Sequence, residues 1–136
     1  MAVRGSFDDG VDMADDERVF NHERLRVYQL AERVYADGVV LVRRLPWQQR
    51  HLATQLMRAA ASIVLNLAEG CGELSPPEKA RFFRMSLRSV NECGAIVSLL
   101  CRVAAVDPAQ AQVVHTGLLD LAPRIASLAR KQKPAP

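Results

Sequence analysis

A chain of 136 residues, 49% of them hydrophobic, can bury one core, and its 5% aromatic content beside abundant Ala, Leu and Val favours helices over sheet. No uncharged run approaches the roughly 18 residues needed to cross a bilayer. The acidic start offers no basic-then-apolar secretory signal, so a cytoplasmic protein without a membrane anchor is expected. The formal charge of +3 hides a segregation: six of the 15 acidic residues precede position 20, leaving 16 basic against nine acidic residues in the remainder.

Residues 1–20 combine Gly and Asp with few large apolar side chains and predict a disordered acidic leader. A four-helix unit is expected over residues 21–131, followed by a flexible polar tail at 132–136. Asn21 is placed to cap a first helix over about 22–44, in which Leu25, Tyr28, Ala31, Tyr35, Val39 and Val42 recur every three or four residues. Arg26, Arg33 and Arg44 fall together on its other face, with Asp37 among them.

Pro46 separates this helix from a second, about Trp47 to Glu69, striped by Leu52, Leu56, Ala59, Ile63 and Asn66 and closed by Gly70 and Gly72. His51, Gln55, Arg58, Ser62, Asn66 and Glu69 share one side of it. Much of the remaining circumference is apolar through Ala53, Met57, Ala60, Val64 and Ala68. A helix with so much apolar surface points to a homo-oligomer, with Met57 and Val64 as expected interface residues, the competing reading being that it is the central, most buried helix of a monomer. A polar network of Arg58, Ser62, Asn66, Glu69 and Glu92 is expected to be structural, with Arg58 and Glu92 as a buried or half-buried ion pair.

Ser75, Pro76 and Glu78 form a capping-box start for a third helix reaching about Ala104. Its two adjacent apolar stripes require two packing neighbours, while Arg84, Arg88, Asn91, Ser98 and Arg102 gather outside. Asp107 and Pro108 open a fourth helix, striped by Val114, Leu118, Leu121, Ile125 and Leu128 and interrupted by Pro123, which should kink or break it. Four helices with short loops predict an all-α, up-down-up-down antiparallel four-helix bundle, oligomeric in its assembly.

No catalytic, metal or cofactor site emerges. No Glu-x-x-His pair occurs, and His22, His51 and His115 belong to separate helices. Cys71, Cys93 and Cys101 are odd in number and lack Cys-x-x-Cys spacing, so free thiols are expected. Arg26, Arg33, Arg44, Arg84, Arg88 and Arg102 instead suit contact with an RNA or DNA backbone. Exposed aromatic residues for base stacking look scarce. The competing reading is a protein-interaction scaffold whose Arg faces are merely solvated.

The pattern Gln55-Leu56-x-Arg58-Ala59-x-x-Ser62-Ile63-x-x-Asn66-x-x-Glu69-Gly70, followed by Ser75, Glu78, Phe82, Ser89 and Glu92, is similar to a known one. Over roughly residues 20–130 it resembles the bacterial four-helix-bundle family named after proteins encoded in intervening sequences of large-subunit ribosomal RNA genes. The resemblance implies a cytoplasmic bundle assembled as a ring-like homopentamer. It extends to the accessory variability determinants of diversity-generating retroelements, and so implies nucleic acid and a reverse transcriptase, or another protein, as partners. Arg88 departs from the family pattern, standing where Gly is common, and Glu73 stands where a basic residue is common.

Overall fold

The computed structural model describes residues 20–132. The expected leader and most of the expected tail lie outside those residues. Four α-helices follow one another: α1 (Arg26–Val42), α2 (Arg50–Gly72), α3 (Pro76–Arg102) and α4 (Pro108–Arg130), with short 3-10 turns at Asn21–Arg24 and Trp47–Gln49. Each packs on its chain neighbours and α1 also packs on α4, which closes a four-helix ring. The ring is antiparallel throughout. Ser86 of α3 meets Ile63 of α2 and Ser89 meets Ser62, while Val34 of α1 faces Gly117 of α4.

Sequence chemistry sets the helix ends. Ser75 Oγ accepts the Glu78 backbone N–H at 3.5 Å, and Pro76 occupies the first turn, where its missing N–H is harmless. Only half of the capping box forms, because the Glu78 carboxylate turns to Arg81 at 2.9 Å. Asp107 caps α4 through the Ala109 N–H at 3.4 Å. Asn21 does not cap α1; Leu25 intervenes in extended conformation, so Asn21 opens a 3-10 turn instead. Pro123 leaves α4 unbroken: it is solvent-exposed, where water can serve the carbonyl its ring leaves unbonded. The second helix also begins later than its apolar pattern implies, since residues 47–49 form a separate turn.

The core runs through the ring axis. Leu56, Ile63 and Leu67 of α2, Val90, Cys93 and Leu100 of α3, Leu121 and Ile125 of α4, and Ala31, Val34 and Leu41 of α1 are all buried. At 25 cal/mol per Å², each Val, Leu or Ile among them contributes roughly 1.5–3 kcal/mol of burial free energy. Gly70 lies directly against the Phe83 ring: a Cβ there would stand 2.5 Å from the ring edge. Gly94, by contrast, has open space at its Cβ position.

The α3–α4 turn carries a Schellman geometry. The Ala105 N–H reaches the Leu100 carbonyl and the Ala104 N–H the Cys101 carbonyl, both at 3.0 Å. Ala104 takes φ 53° to do so, a conformation that favours glycine. Ala104→Gly should therefore raise unfolding free energy by about 1 kcal/mol, and Gly94→Ala by up to about 1 kcal/mol. Gly70→Ala should lower it by about 1–3 kcal/mol. Urea denaturation followed by far-ultraviolet circular dichroism checks all three signs.

Candidate nucleic-acid interface

The polar stripe of α2 divides into an internal and an external part. Ser62 Oγ accepts a bond from Ser89 Oγ at 2.8 Å and another from Asn66 Nδ2 at 2.9 Å, and the Asn66 amide also donates to the Ser62 carbonyl. Fully buried Ser86 donates to the Ile63 carbonyl at 2.8 Å. Lys79 reaches across from α3 to the Gly70 and Cys71 carbonyls at 3.2 and 3.1 Å, placing a cation at the negative end of the α2 dipole. Neither Ser86 nor Lys79 figures in the sequence pattern as a polar contact, because bonds to a neighbouring helix's backbone leave no spacing signature.

Arg58, Glu69 and Glu92 do not join this network. All three are exposed, and no ion pair links Arg58 to Glu92 among the described residues. Glu92 shares its side of α3 with Met85 and Leu99; Met85 is half-buried and Leu99 is 53% exposed, so that flank faces water and the expected buried pair does not form. Met57 and Val64 likewise do not stand free. Both are half-buried against their own core, Met57 beside Gly38 of α1, whereas Leu65 is 62% exposed.

The three thiols are free. Burial pushes the Cys93 thiol up to about 12, with the Glu92 carboxylate adding to the shift. Burial also raises Cys71, partly offset by the Lys79 charge. The folded state thus keeps the Cys93 proton after an unfolded thiol, with its ordinary value of 9.0, has lost it. This contribution to stability is complete below that value and is lost as pH rises toward 12.

The six arginines singled out by sequence are all exposed, and none has a carboxylate partner among the described residues. They are distributed about α4. Arg44 lines a cleft of about 220 Å³ with Ala105, Asp107 and Gln110, which fixes it on the α4 side of α1. Arg33 and Arg26 follow at intervals of 11 and 7 residues, the repeat that keeps one helical flank. Arg84 and Arg102 lie about five turns apart at 3.6 residues per turn, on the side of α3 turned away from the α2 seam. Arg88 stands farther round toward the α2 flank. Between these two rows, α4 carries a single carboxylate, Asp120, already paired with Arg124 at 3.0 Å. The nearby carboxylates are few: Asp107 caps α4 and Asp37 lies among the α1 arginines, so the arrangement is predominantly basic.

Among the described residues no group of three or more His, Cys, Asp and Glu side chains could hold a metal ion, and no helix is long and apolar enough to cross a membrane. The larger cleft, about 380 Å³ between Val27 of α1 and Pro123, Arg124 and Leu128 of α4, is shallow and open.

These features define a small antiparallel four-helix bundle whose polar groups serve helix packing on one seam and a charged exterior elsewhere. Residues 23–127 match the model of the 23S rRNA-intervening sequence protein family, and the chain belongs to that family. A crystal structure of a protein of unknown function from the S23 ribosomal protein family of Bacteroides thetaiotaomicron is similar, with a TM-score of 0.71 at 19% identity. The alignment covers 77% of this chain and 99% of that one, and at this identity it speaks to the fold. No curated protein matches the chain.

With its carboxylate in water, Glu92→Ala should change unfolding free energy by less than about 0.5 kcal/mol. A loss near 3 kcal/mol would restore the buried pair. In native protein an aromatic disulfide reagent should label Cys101 promptly and Cys71 more slowly, with Cys93 reacting only on unfolding. Prompt labelling of Cys93 would contradict its burial.

Proposed function

We propose that this protein is a non-enzymatic, homo-oligomeric bundle, a ring of five copies on the family resemblance. It binds RNA or DNA through its basic surface as a cytoplasmic accessory factor to a reverse transcriptase or another RNA-handling protein. The observation that carries the nucleic-acid reading is the set of exposed arginines without a carboxylate partner among the described residues: Arg26, Arg33 and Arg44 on the α4 side of α1, Arg84 and Arg102 on the outer side of α3, and Arg88 farther round toward α2. Guanidinium groups not engaged by carboxylates keep their forked donors for phosphate oxygens. Spread over several turns without a groove-reading element, they suit backbone contact rather than base readout.

Self-association is supported by the outer flank of the α2–α3 seam. Leu65, Leu99 and Val103 are 62%, 53% and 55% exposed there, beside the oppositely charged Arg58 and Glu92. A second copy would cover this apolar area while leaving the α4 side open.

Fluorescence anisotropy of labelled RNA and duplex DNA, on nuclease-treated protein of measured mass, tests the reading. If all six arginines meet phosphates, affinity should fall roughly a thousandfold between 50 and 200 mM salt. Charge reversal of Arg26, Arg33, Arg84 and Arg88 to Glu should abolish the binding. Absence of binding at low salt would leave a protein-interaction scaffold. Leu65→Glu should reduce the particle mass in light scattering, and an unchanged mass would remove this flank from the assembly.

A further inference from the structure

Trp47 is the chain's sole tryptophan, and it is 75% exposed. An indole left in water forgoes one of the largest burial gains available to a side chain and keeps a flat apolar face open to a ligand. It does not hang on a slack loop. Pro46 fixes the approach, the Gln49 N–H donates to the Pro46 carbonyl at 2.9 Å, and the Arg50 N–H donates to the Trp47 carbonyl, which closes a 3-10 turn against the start of α2.

The charge around this turn is of one sign. Arg43, Arg44 and Arg50 lie within four residues of Trp47, and all are exposed without a carboxylate partner among the described residues. No Asp or Glu occurs between Asp37 and Glu69. The α3–α4 connection, at the same end of the bundle, contributes Asp107, whose carboxylate already caps α4.

An exposed apolar ring on a turn flanked in sequence by three exposed arginines matches a ligand that is both planar and polyanionic. We propose that Trp47 is a stacking platform for an unpaired base of single-stranded nucleic acid, with Arg43, Arg44 and Arg50 holding the phosphates on either side. This rests on the nucleic-acid reading above and narrows it to single strands, since a duplex buries its base faces in its own stack. A second copy docked end to end on this turn would set three arginines against three arginines, which disfavours self-association as the reason for the exposure.

The indole supplies its own probe. Titration with an oligothymidylate or oligouridylate of about fifteen nucleotides should quench Trp47 emission, with reversal by salt, while a blunt hairpin duplex of similar charge should quench it little. In anisotropy with labelled strands, Trp47→Ala should weaken single-strand binding by roughly tenfold or more and leave duplex binding within about twofold. Trp47→Phe should keep most of the single-strand affinity. Unquenched emission, or equal single-strand affinity for Trp47→Ala, would overturn the platform while leaving the α4-side arginines in place. A smaller particle mass for Trp47→Ala would also overturn it, by assigning the ring to a subunit contact. Binding of neither strand form by the native protein would sink both readings together.

Discussion

Close approach of α2 and α3 is the constraint on which the rest of the bundle depends. Small residues make it possible: Ala59, Ser62 and Gly70 on α2 face Ser86, Ser89 and Phe83 on α3. Buried hydroxyls would be costly in an apolar seam. Here each has a partner, Ser86 on the Ile63 carbonyl and Ser89 on Ser62, so the seam is narrow and satisfied at once. Bonds with defined geometry also fix the axial register of the two helices, which leucine packing alone leaves loose. Lys79 completes the same seam at its end by occupying the last α2 carbonyls.

Once α2 and α3 are locked, the positions of α1 and α4 follow from short connections and small residues. Gly117 admits the Val34 side chain where any Cβ would stand 2.6 Å from it. Gly38 does the same for the Met57 methyl. Two clefts, of about 380 and 220 Å³, lie along the α1–α4 seam toward its two ends.

The helices, their order and much of the core were legible because apolar periodicity and caps are local signals. Ser75, Pro76, Asp107 and the stripe from Val114 to Ile125 act within a few residues of themselves. Features that depend on which flank meets which neighbour were not legible. Glu92 shares a helix side with Met85 and Leu99, but the direction of that side is set by α2, and it turned to water. Met57 and Val64 looked surplus to the core because the width of the α1–α2 seam is a tertiary quantity. Trp47 was hidden for another reason: the apolar pattern continues smoothly into α2, and only the separate turn after Pro46 swings the indole outward.

Separation of the two exteriors gives the molecule its character. The α2–α3 flank mixes exposed Leu65 and Leu99 with both charge signs, so it can be covered by a like surface without accumulating repulsion. The α4 side sets its exposed arginines against few carboxylates, Asp120 paired with Arg124, Asp107 capping α4 and Asp37 among the α1 arginines, so copies brought together there would repel, and an external polyanion would relieve that repulsion. If the proposed ring forms by covering the first flank, it repeats the second around its rim and multiplies phosphate contacts without changing any single one. Affinity for a long strand then grows with the number of copies engaged, as tethered sites raise one another's effective concentration.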